Sequence, residues 1–335
     1  MNPSRPNTVR LQRIARAYRE TGALLAAVEL DLFSKISEGA NTEGLLVNSL
    51  GISELNAERI VVACLGLGLI IRNQEFIENA PDVERFLVKS KSTYAGEWMF
   101  FTHPDWDKWG RLTEFLKDTS PPQLDNNTVK NITLSEARRY HGATFSIGRG
   151  AGRQFLRKVD LAHRTKILDI GGGSGAYCIE ACKKYPKLTA TVLDLPEVTI
   201  IAAEFIESFG LSDRISTLAA DFNFDPFPSD IDVAIMASNL PMYGREAIGR
   251  VIAKAHDALL PGGEMHLIGE ALDCSRDGPA DPAMWGLAQT LNNSTGLAHS
   301  VDECIQYFKT AGFMEVQVNE FIPGVLQRIS AVKKT

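Results

Sequence analysis

The sequence predicts an α/β protein: a mixed sheet in the C-terminal half, preceded by a smaller, mainly helical unit. Two observations carry this. From Lys166 onward, apolar runs of strand length alternate with helical segments, an order that implies a mostly parallel sheet with crossovers. Before about Lys91 the apolar residues instead recur at helical spacing. A length of 335 residues suits about two domains. A hydrophobic fraction of 44% is enough for sizeable cores, which excludes a disordered or disulfide-dependent chain.

In the first half, Leu24, Leu25, Val28, Leu32 and Phe33 form one stripe of a helix closed by Gly39. A short helix over Thr42–Leu50 ends at Gly51, and Ser53 caps a third helix carrying Ile60, Val61, Cys64 and Leu67. Leu69–Ile77 reads as a hairpin turning at Asn73. This is the order of a winged-helix unit. The third helix, however, offers only Arg59 as a basic residue, with Arg72 following in the hairpin. A DNA reader needs a basic stripe there, so self-association is favoured. Residues 92–150 form an irregular aromatic connector with Trp98, Phe100, Phe101, His103, Trp106 and Trp109. Such a cluster is either interdomain core or the wall of a ligand pocket. The strands expected beyond it are 167–170, 189–195, 215–219, 231–237, 265–269, 314–318 and 326–332, the last two an antiparallel edge hairpin around Pro323 and Gly324.

The formal net charge of −6, from 35 Lys+Arg and 41 Asp+Glu, argues against free nucleic acid as a partner. Five cysteines without framework spacing argue for free thiols in a reducing, cytoplasmic setting. Cys178 and Cys182 share a helix face and read as small buried residues. No His/Asp/Glu cluster has metal-ligand spacing, so no metal is expected. The Arg-rich start lacks the apolar run of a secretory signal. The most apolar stretch, about 12 residues over 60–71, is too short to span a bilayer.

The sharpest signal is Ile167-Leu168-Asp169-Ile170-Gly171-Gly172-Gly173-Ser174-Gly175, which follows a strand and opens a helix. Glycines there permit a tight turn and a close approach to a ligand. Asp194 ends the next strand, about 20 residues on, where a carboxylate can accept two ribose hydroxyls. Ala220-Asp221-Phe222 ends the third strand: the acid suits an exocyclic amine and the ring suits stacking on adenine. Three acids, Asp169, Asp194 and Asp221, thus close three successive strands, where open α/β sheets bind ligands.

The segment resembles class I S-adenosylmethionine-dependent methyltransferases. The whole chain is similar to the small-molecule O-methyltransferases of the caffeate and acetylserotonin type and their bacterial relatives. Residues 24–33 (LLAAVELDLF), 106–112 (WDKWGRL), 168–177 (LDIGGGSGAY), 191–198 (TVLDLPEV), Ser238-Asn239 and 260–263 (LPGG) carry the likeness. It implies a winged-helix dimerisation domain over 1–91, the connector over 92–150, and a Rossmann-like methyltransferase domain with a mixed seven-stranded sheet over 151–335. It implies a homodimer whose cofactor, S-adenosyl-L-methionine, is held by Asp169, Gly171, Gly173, Gly175, Asp194, Leu195, Asp221, Phe222, Ser238 and Tyr140. The expected acceptor pocket holds Trp106, Trp109, Met242, Tyr243, Trp285 and Asn292, with Met284 beside Trp285. The reaction implied is methyl transfer to a small molecule of specialised metabolism.

The family's base is a histidine in a Ser-Asn-x-Leu-His pattern, oriented by two glutamates. This chain reads Ser238-Asn239-Leu240-Pro241-Met242-Tyr243-Gly244, so Pro241 or Met242 fills that slot. Glu270 matches one glutamate, and Ala298 takes the place of the other. Three readings follow. Another group is the base, with Glu270 and His299 the candidates and His141 behind them. Alternatively, the acceptor needs only proximity. In the third, the sulfonium serves a reaction without methyl transfer, such as a cyclase, lyase, pericyclase or decarboxylase reaction. That last reading assigns Tyr177, Tyr140 and Phe145 to an aromatic cage for the cation, with Gln289, Asn292 and Asn293 as neutral hydrogen-bonding groups. A cofactor-sensing winged-helix regulator is the non-enzymatic alternative.

Overall fold

The computed structural model describes residues 6–101, 103–122 and 132–334. The chain divides into two compact units, Met1–His103 and Pro104–Thr335.

In the first unit, helices Tyr18–Glu29, Leu32–Ser37, Glu43–Leu50 and Glu54–Gly66 are followed by a hairpin of β1 (Ile70–Asn73) and β2 (Phe76–Asn79). Ser53 caps its helix as expected, and Thr42, expected as the first residue of its helix, is the cap of that helix; each side-chain oxygen accepts from a backbone N–H of the first turn. The single helix expected up to Gly39 is instead two, because Asp31 takes a left-handed conformation (φ 60°) between them. The hairpin turns at Gln74 rather than at Asn73, which ends β1. Ala27, Val28, Leu32, Phe33, Leu46, Val61, Cys64 and Ile77 form the core, and Met99 and Phe100 pack against it. The first residues of the expected connector therefore belong to this unit. Its boundary falls after His103, not after residue 91.

The second unit is a seven-stranded sheet among the described residues, in the order β5-β4-β3-β6-β7-β9-β8. Here β3 is Lys166–Ile170, β4 Thr189–Asp194, β5 Ile215–Ala219, β6 Ile231–Ala237, β7 Leu259–Gly269, β8 Met314–Ile322 and β9 Leu326–Val332. The first five are parallel, and β9 and β8 add antiparallel at the edge. The parallel strands are nearly continuous apolar runs because helices cover both faces. One core lies on each face: one around Leu168, Met236, Ile248 and Phe308, the other around Phe155, Ile167, Cys178 and Val233. Strand order reverses at β3 and β6, so the cleft outside their carboxyl ends is the switch point where such sheets bind ligands.

The boundary expected at residue 150 falls inside one 25-residue helix, Leu134–Lys158, opened by a Thr133–Glu136 capping box. Its glycines read as a break in sequence, but they serve contact. A Cβ on Gly148 would meet the Ala176 Cβ at 3.1 Å, and one on Gly152 would meet the Ala176 carbonyl oxygen at 3.3 Å. They let this helix lie directly on helix Ala176–Lys184. Cys178 and Cys182 are buried on that second helix, as the sequence suggested. No described helix is long and apolar enough to cross a membrane.

Candidate active site

The loop after β3 is shaped by its glycines. Gly171, Gly173 and Gly175 all have positive φ (64°, 56° and 72°), a region closed to most side chains. The Gly173 N–H donates to Asp194 Oδ2 at 2.8 Å, and the Leu195 N–H donates to Oδ1 at 2.8 Å. Asp194, at the end of β4, therefore grips the loop while its carboxylate faces the cleft. On the other side Asn239 Nδ2 donates to the Gly171 carbonyl at 3.2 Å. A Cβ on Gly171 would come within 2.6 Å of that Nδ2 and 3.0 Å of Phe222 Cε1. The role of Asn239 was missed in sequence, although its place just past β6 was the available signal. Ser238, beside it, is held at φ 60° and donates its N–H to the Ile268 carbonyl at 2.8 Å.

Two of the acids at the strand ends, Asp169 and Asp194, are strained electrostatically. Asp169 lies one residue inside β3 and is 2% exposed. Burial pushes its carboxyl up to about 7, against the Cys178 thiol that donates to it at 3.4 Å and with the nearby Asp194 charge adding to the shift. Asp194 is pushed up to about 6 by burial, despite its two N–H donors. Asp221 Oδ1 accepts from the Asn223 N–H at 2.9 Å. Phe222 is buried, with its ring edge-on to Tyr243 at 4.9 Å.

Two tyrosines face these acids. The Tyr177 hydroxyl is buried with no hydrogen-bond partner. Its acidity is suppressed by burial first, then by the charges of Asp169 and Glu270. Tyr140 is pushed up to about 12 by burial, with Asp194 and Glu270 adding. Glu270, just past β7, has its own affinity for a proton raised by burial and by Asp281. Asp169, Asp194, Glu270, Tyr140 and Tyr177 are thus brought together electrostatically. Phe145 is not part of this group: its ring stacks on Phe205 at 3.9 Å.

The loop after β6 contradicts one expectation directly. His299 is fully buried. Its Nε2 lies 2.9 Å from the Tyr243 carbonyl, which can only accept, so Nε2 carries the proton. Its Nδ1, 2.9 Å away, accepts from the Tyr307 hydroxyl. Burial holds its pKa below the usual value. With no lone pair free and no exposure, His299 is a cross-link between two loops and not a base. Ala298 is equally fixed, since a Cβ on Gly286 would stand 2.3 Å from the Ala298 nitrogen. Gly296 lies against the Pro241 carbonyl and Met242 in the same way.

The expected acceptor pocket is brought together in part. Trp106 and Trp109 lie on helix Trp106–Gly110 and are 39% and 36% exposed. Lys108 of that helix donates to Asn292 Oδ1 at 3.0 Å, and Asn293 Nδ2 donates to the Pro121 carbonyl at 3.3 Å. These bonds place the tryptophan helix beside the segment that follows Trp285. Tyr243, just past the turn at Leu240–Met242, is instead a core residue, buried against Phe222. Met242 packs half-buried on the same core. Gln289 is consumed internally: its Nε2 donates to the Trp285 carbonyl at 3.1 Å and its Oε1 accepts from Ser294.

Comparison with known proteins agrees with this geometry. The O-methyltransferase domain model matches residues 135–314. The chain is 31% identical over 333 residues to the 3-hydroxy-5-methyl-1-naphthoate 3-O-methyltransferase of Streptomyces sahachiroi, covering 96% of this chain and 94% of that protein. It is 28% identical to the tetracenomycin polyketide synthesis 8-O-methyltransferase TcmO of Streptomyces glaucescens, covering 91% of each. The crystal structure of human N-acetylserotonin methyltransferase in complex with S-adenosylmethionine superimposes over the full length of both chains with a TM-score of 0.83 at 23% identity. With its glycine loop, its strand-end acids and these full-length relatives, the chain belongs to the O-methyltransferase family.

Proposed function

We propose that the protein is an S-adenosylmethionine-dependent methyltransferase of specialised metabolism, acting on a hydroxylated aromatic acid of the naphthoate kind. The observation that carries the reading is the Asp194 clamp: a carboxylate anchored to Gly173 and Leu195, pushed up to about 6, and needing donors from the cleft. Ribose hydroxyls are such donors. Phe222 and Asp221 suit adenine, and the cleft's excess of carboxylates suits a cation. The cofactor, when bound, supplies an electrophilic methyl group. The chain's own residues position the acceptor, exclude water and hold its proton. Glu270 and Tyr177 are the polar groups left for the acceptor, Glu270 to hold the proton at a carboxylate oxygen and Tyr177 to donate a hydrogen bond. The Streptomyces sahachiroi relative, named for a 3-hydroxynaphthoate, supports the acceptor class.

The first unit is read as a winged-helix dimerisation domain. Helix Val9–Arg16 buries none of its residues, and Leu11 and Ile14, three residues apart on one face, are exposed, an apolar face suited to a second copy. A regulator reading is disfavoured because Arg59, the basic residue of helix Glu54–Gly66, is turned to Asn56. The free buried thiols support a cytoplasmic setting.

Incubation with S-adenosylmethionine alone, and then with a panel of 3-hydroxynaphthoates, tests the reaction. S-adenosylhomocysteine formed only with an acceptor is expected. Methylthioadenosine formed without one would overturn the reading and favour a reaction internal to the cofactor, which the unpaired Tyr177 hydroxyl also allows.

A further inference from the structure

The cleft holds one buried imidazole to which the reading above gives no role. His141 lies two turns into helix Leu134–Lys158, and its ring stands over the glycine loop. A Cβ on Gly173 would sit 2.9 Å from both Cε1 and Nδ1 of that ring. His141 is 9% exposed, and the Tyr140 ring packs edge-on against it at 4.9 Å. Its backbone carbonyl accepts from Thr144 Oγ1 at 3.5 Å, while its ring nitrogens have no hydrogen-bond partner among the described residues. The ring is nine-tenths buried while its nitrogens are neither hydrogen-bonded nor fully enclosed, so an imidazole against a ligand-binding loop keeps a polar contact open for a ligand to complete. Burial lowers the ring's pKa to about 4, so it is neutral and offers one N–H.

The strand order says which part of a ligand lies there. Asp221 follows β5, Asp194 ends β4, and the glycine loop follows β3, in the spatial order β5-β4-β3-β6. With a base at Asp221–Phe222 and a sugar at Asp194, the remainder of the molecule continues over β3 and beneath His141. For S-adenosylmethionine, on which this inference rests, the remainder is the sulfonium and the amino-acid end. Of the other titratable side chains brought together in this cleft, Asp169, Asp194 and Glu270 are acids and cannot welcome a carboxylate, and the Tyr177 and Tyr140 hydroxyls stand beside those acids. We propose that His141 is a specificity-determining residue that binds the amino-acid end of the cofactor, its neutral imidazole donating N–H to the α-carboxylate. Neutrality matters, because a cationic side chain there would oppose the ligand's own sulfonium and ammonium charges. Gly173 is part of the same device, since its missing Cβ makes space for the ring.

Calorimetry with two probes tests this without any acceptor. S-adenosylhomocysteine carries the amino-acid end; 5′-methylthioadenosine shares the adenine, ribose and sulfur but lacks it. His141→Phe should weaken S-adenosylhomocysteine by at least about tenfold and leave methylthioadenosine within about twofold of wild type. His141→Gln, which keeps an N–H donor, should recover part of the loss. Equal loss of both probes, or loss of neither, would overturn the inference. Should the phenylalanine variant fail to fold, the 15N shifts of the His141 ring in the wild-type protein decide. They must move with S-adenosylhomocysteine and stay fixed with methylthioadenosine, and any other pattern overturns the assignment. A folded wild-type protein that binds neither probe would instead overturn the cofactor reading itself.

Discussion

At the ends of β3 and β4 the polar groups have bonds to spare, whereas the His299 ring and the two groups it meets are spent on one another. Asp169 and Asp194 are held well above the ordinary carboxylate range, and the Tyr177 hydroxyl is buried with nothing to bond. By contrast, His299 uses both ring nitrogens, and Ala298, Pro241 and Met242 are locked by glycine contacts. Unsatisfied buried groups cost stability and persist where a ligand repays them. Satisfied ones hold shape. The difference separates a surface built to bind from a frame built to hold it, and it explains why the histidine nearest the expected catalytic slot is not the base.

The largest effect should come from breaking the binding side. Asp194→Asn removes the charge that ribose hydroxyls would meet, and S-adenosylmethionine affinity should fall about a hundredfold, two charge-assisted bonds at roughly 1.5–3 kcal/mol each being lost or weakened. The same substitution should change how the stability of the ligand-free protein depends on pH. Asp194 titrates near 6 in the folded chain, above its unfolded value of about 3.9. The folded state therefore binds that proton more tightly. Its stabilising contribution is complete below about pH 4 and is lost as pH rises through 6. From pH 5 to pH 8 the variant should therefore gain about 1–2 kcal/mol on the wild type, set against a fixed cost at both pH values because an amide has one acceptor oxygen for the two N–H groups of Gly173 and Leu195. Denaturant titrations at the two pH values measure it. A variant whose stability relative to wild type does not rise between pH 5 and pH 8, or that binds the cofactor normally, would remove Asp194 from its role.

That side was the part legible in sequence, for a local reason. The glycines, Asp194 and Asp221-Phe222 sit at strand ends, and strand ends follow from short-range periodicity and turn chemistry. What stayed hidden depended on partners far along the chain. The Tyr243 carbonyl that fixes His299 is 56 residues away. Gly148 and Gly152 looked like a domain break because the helix they lie against, Ala176–Lys184, comes more than 20 residues later. Sequence shows a residue's chemistry but not whether its valences are already filled, so His299 and Tyr177 could not be told apart as spent and unspent.

The holding side gives the intermediate effect. His299→Ala strands the Tyr243 carbonyl and the Tyr307 hydroxyl together, each costing about 1–3 kcal/mol. A loss of roughly 2–4 kcal/mol in denaturant unfolding is expected. The pH dependence of kcat should keep its shape, since the ring neither exchanges its proton with solvent nor reaches the cleft. Loss of one limb of that profile would restore His299 as the base.

The smallest effect should come from putting a histidine back. Met242→His supplies an imidazole in the slot left empty of one, and a well-positioned general base is worth about 10²–10⁴ in rate. Position is what this frame cannot give. Met242 lies half-buried on an apolar core, and the place of the second orienting glutamate is Ala298, which has no carboxylate to hold a ring. A ring without that support samples several rotamers, and misplacement by about 1 Å removes most of the advantage. With 3-hydroxynaphthoate acceptors the rate should change by less than about threefold, and stability should fall slightly as a polar ring replaces a thioether against the core. A tenfold or greater rise in kcat would show that the slot is still wired for a base, and that the glycine contacts around it do not fix its chemistry.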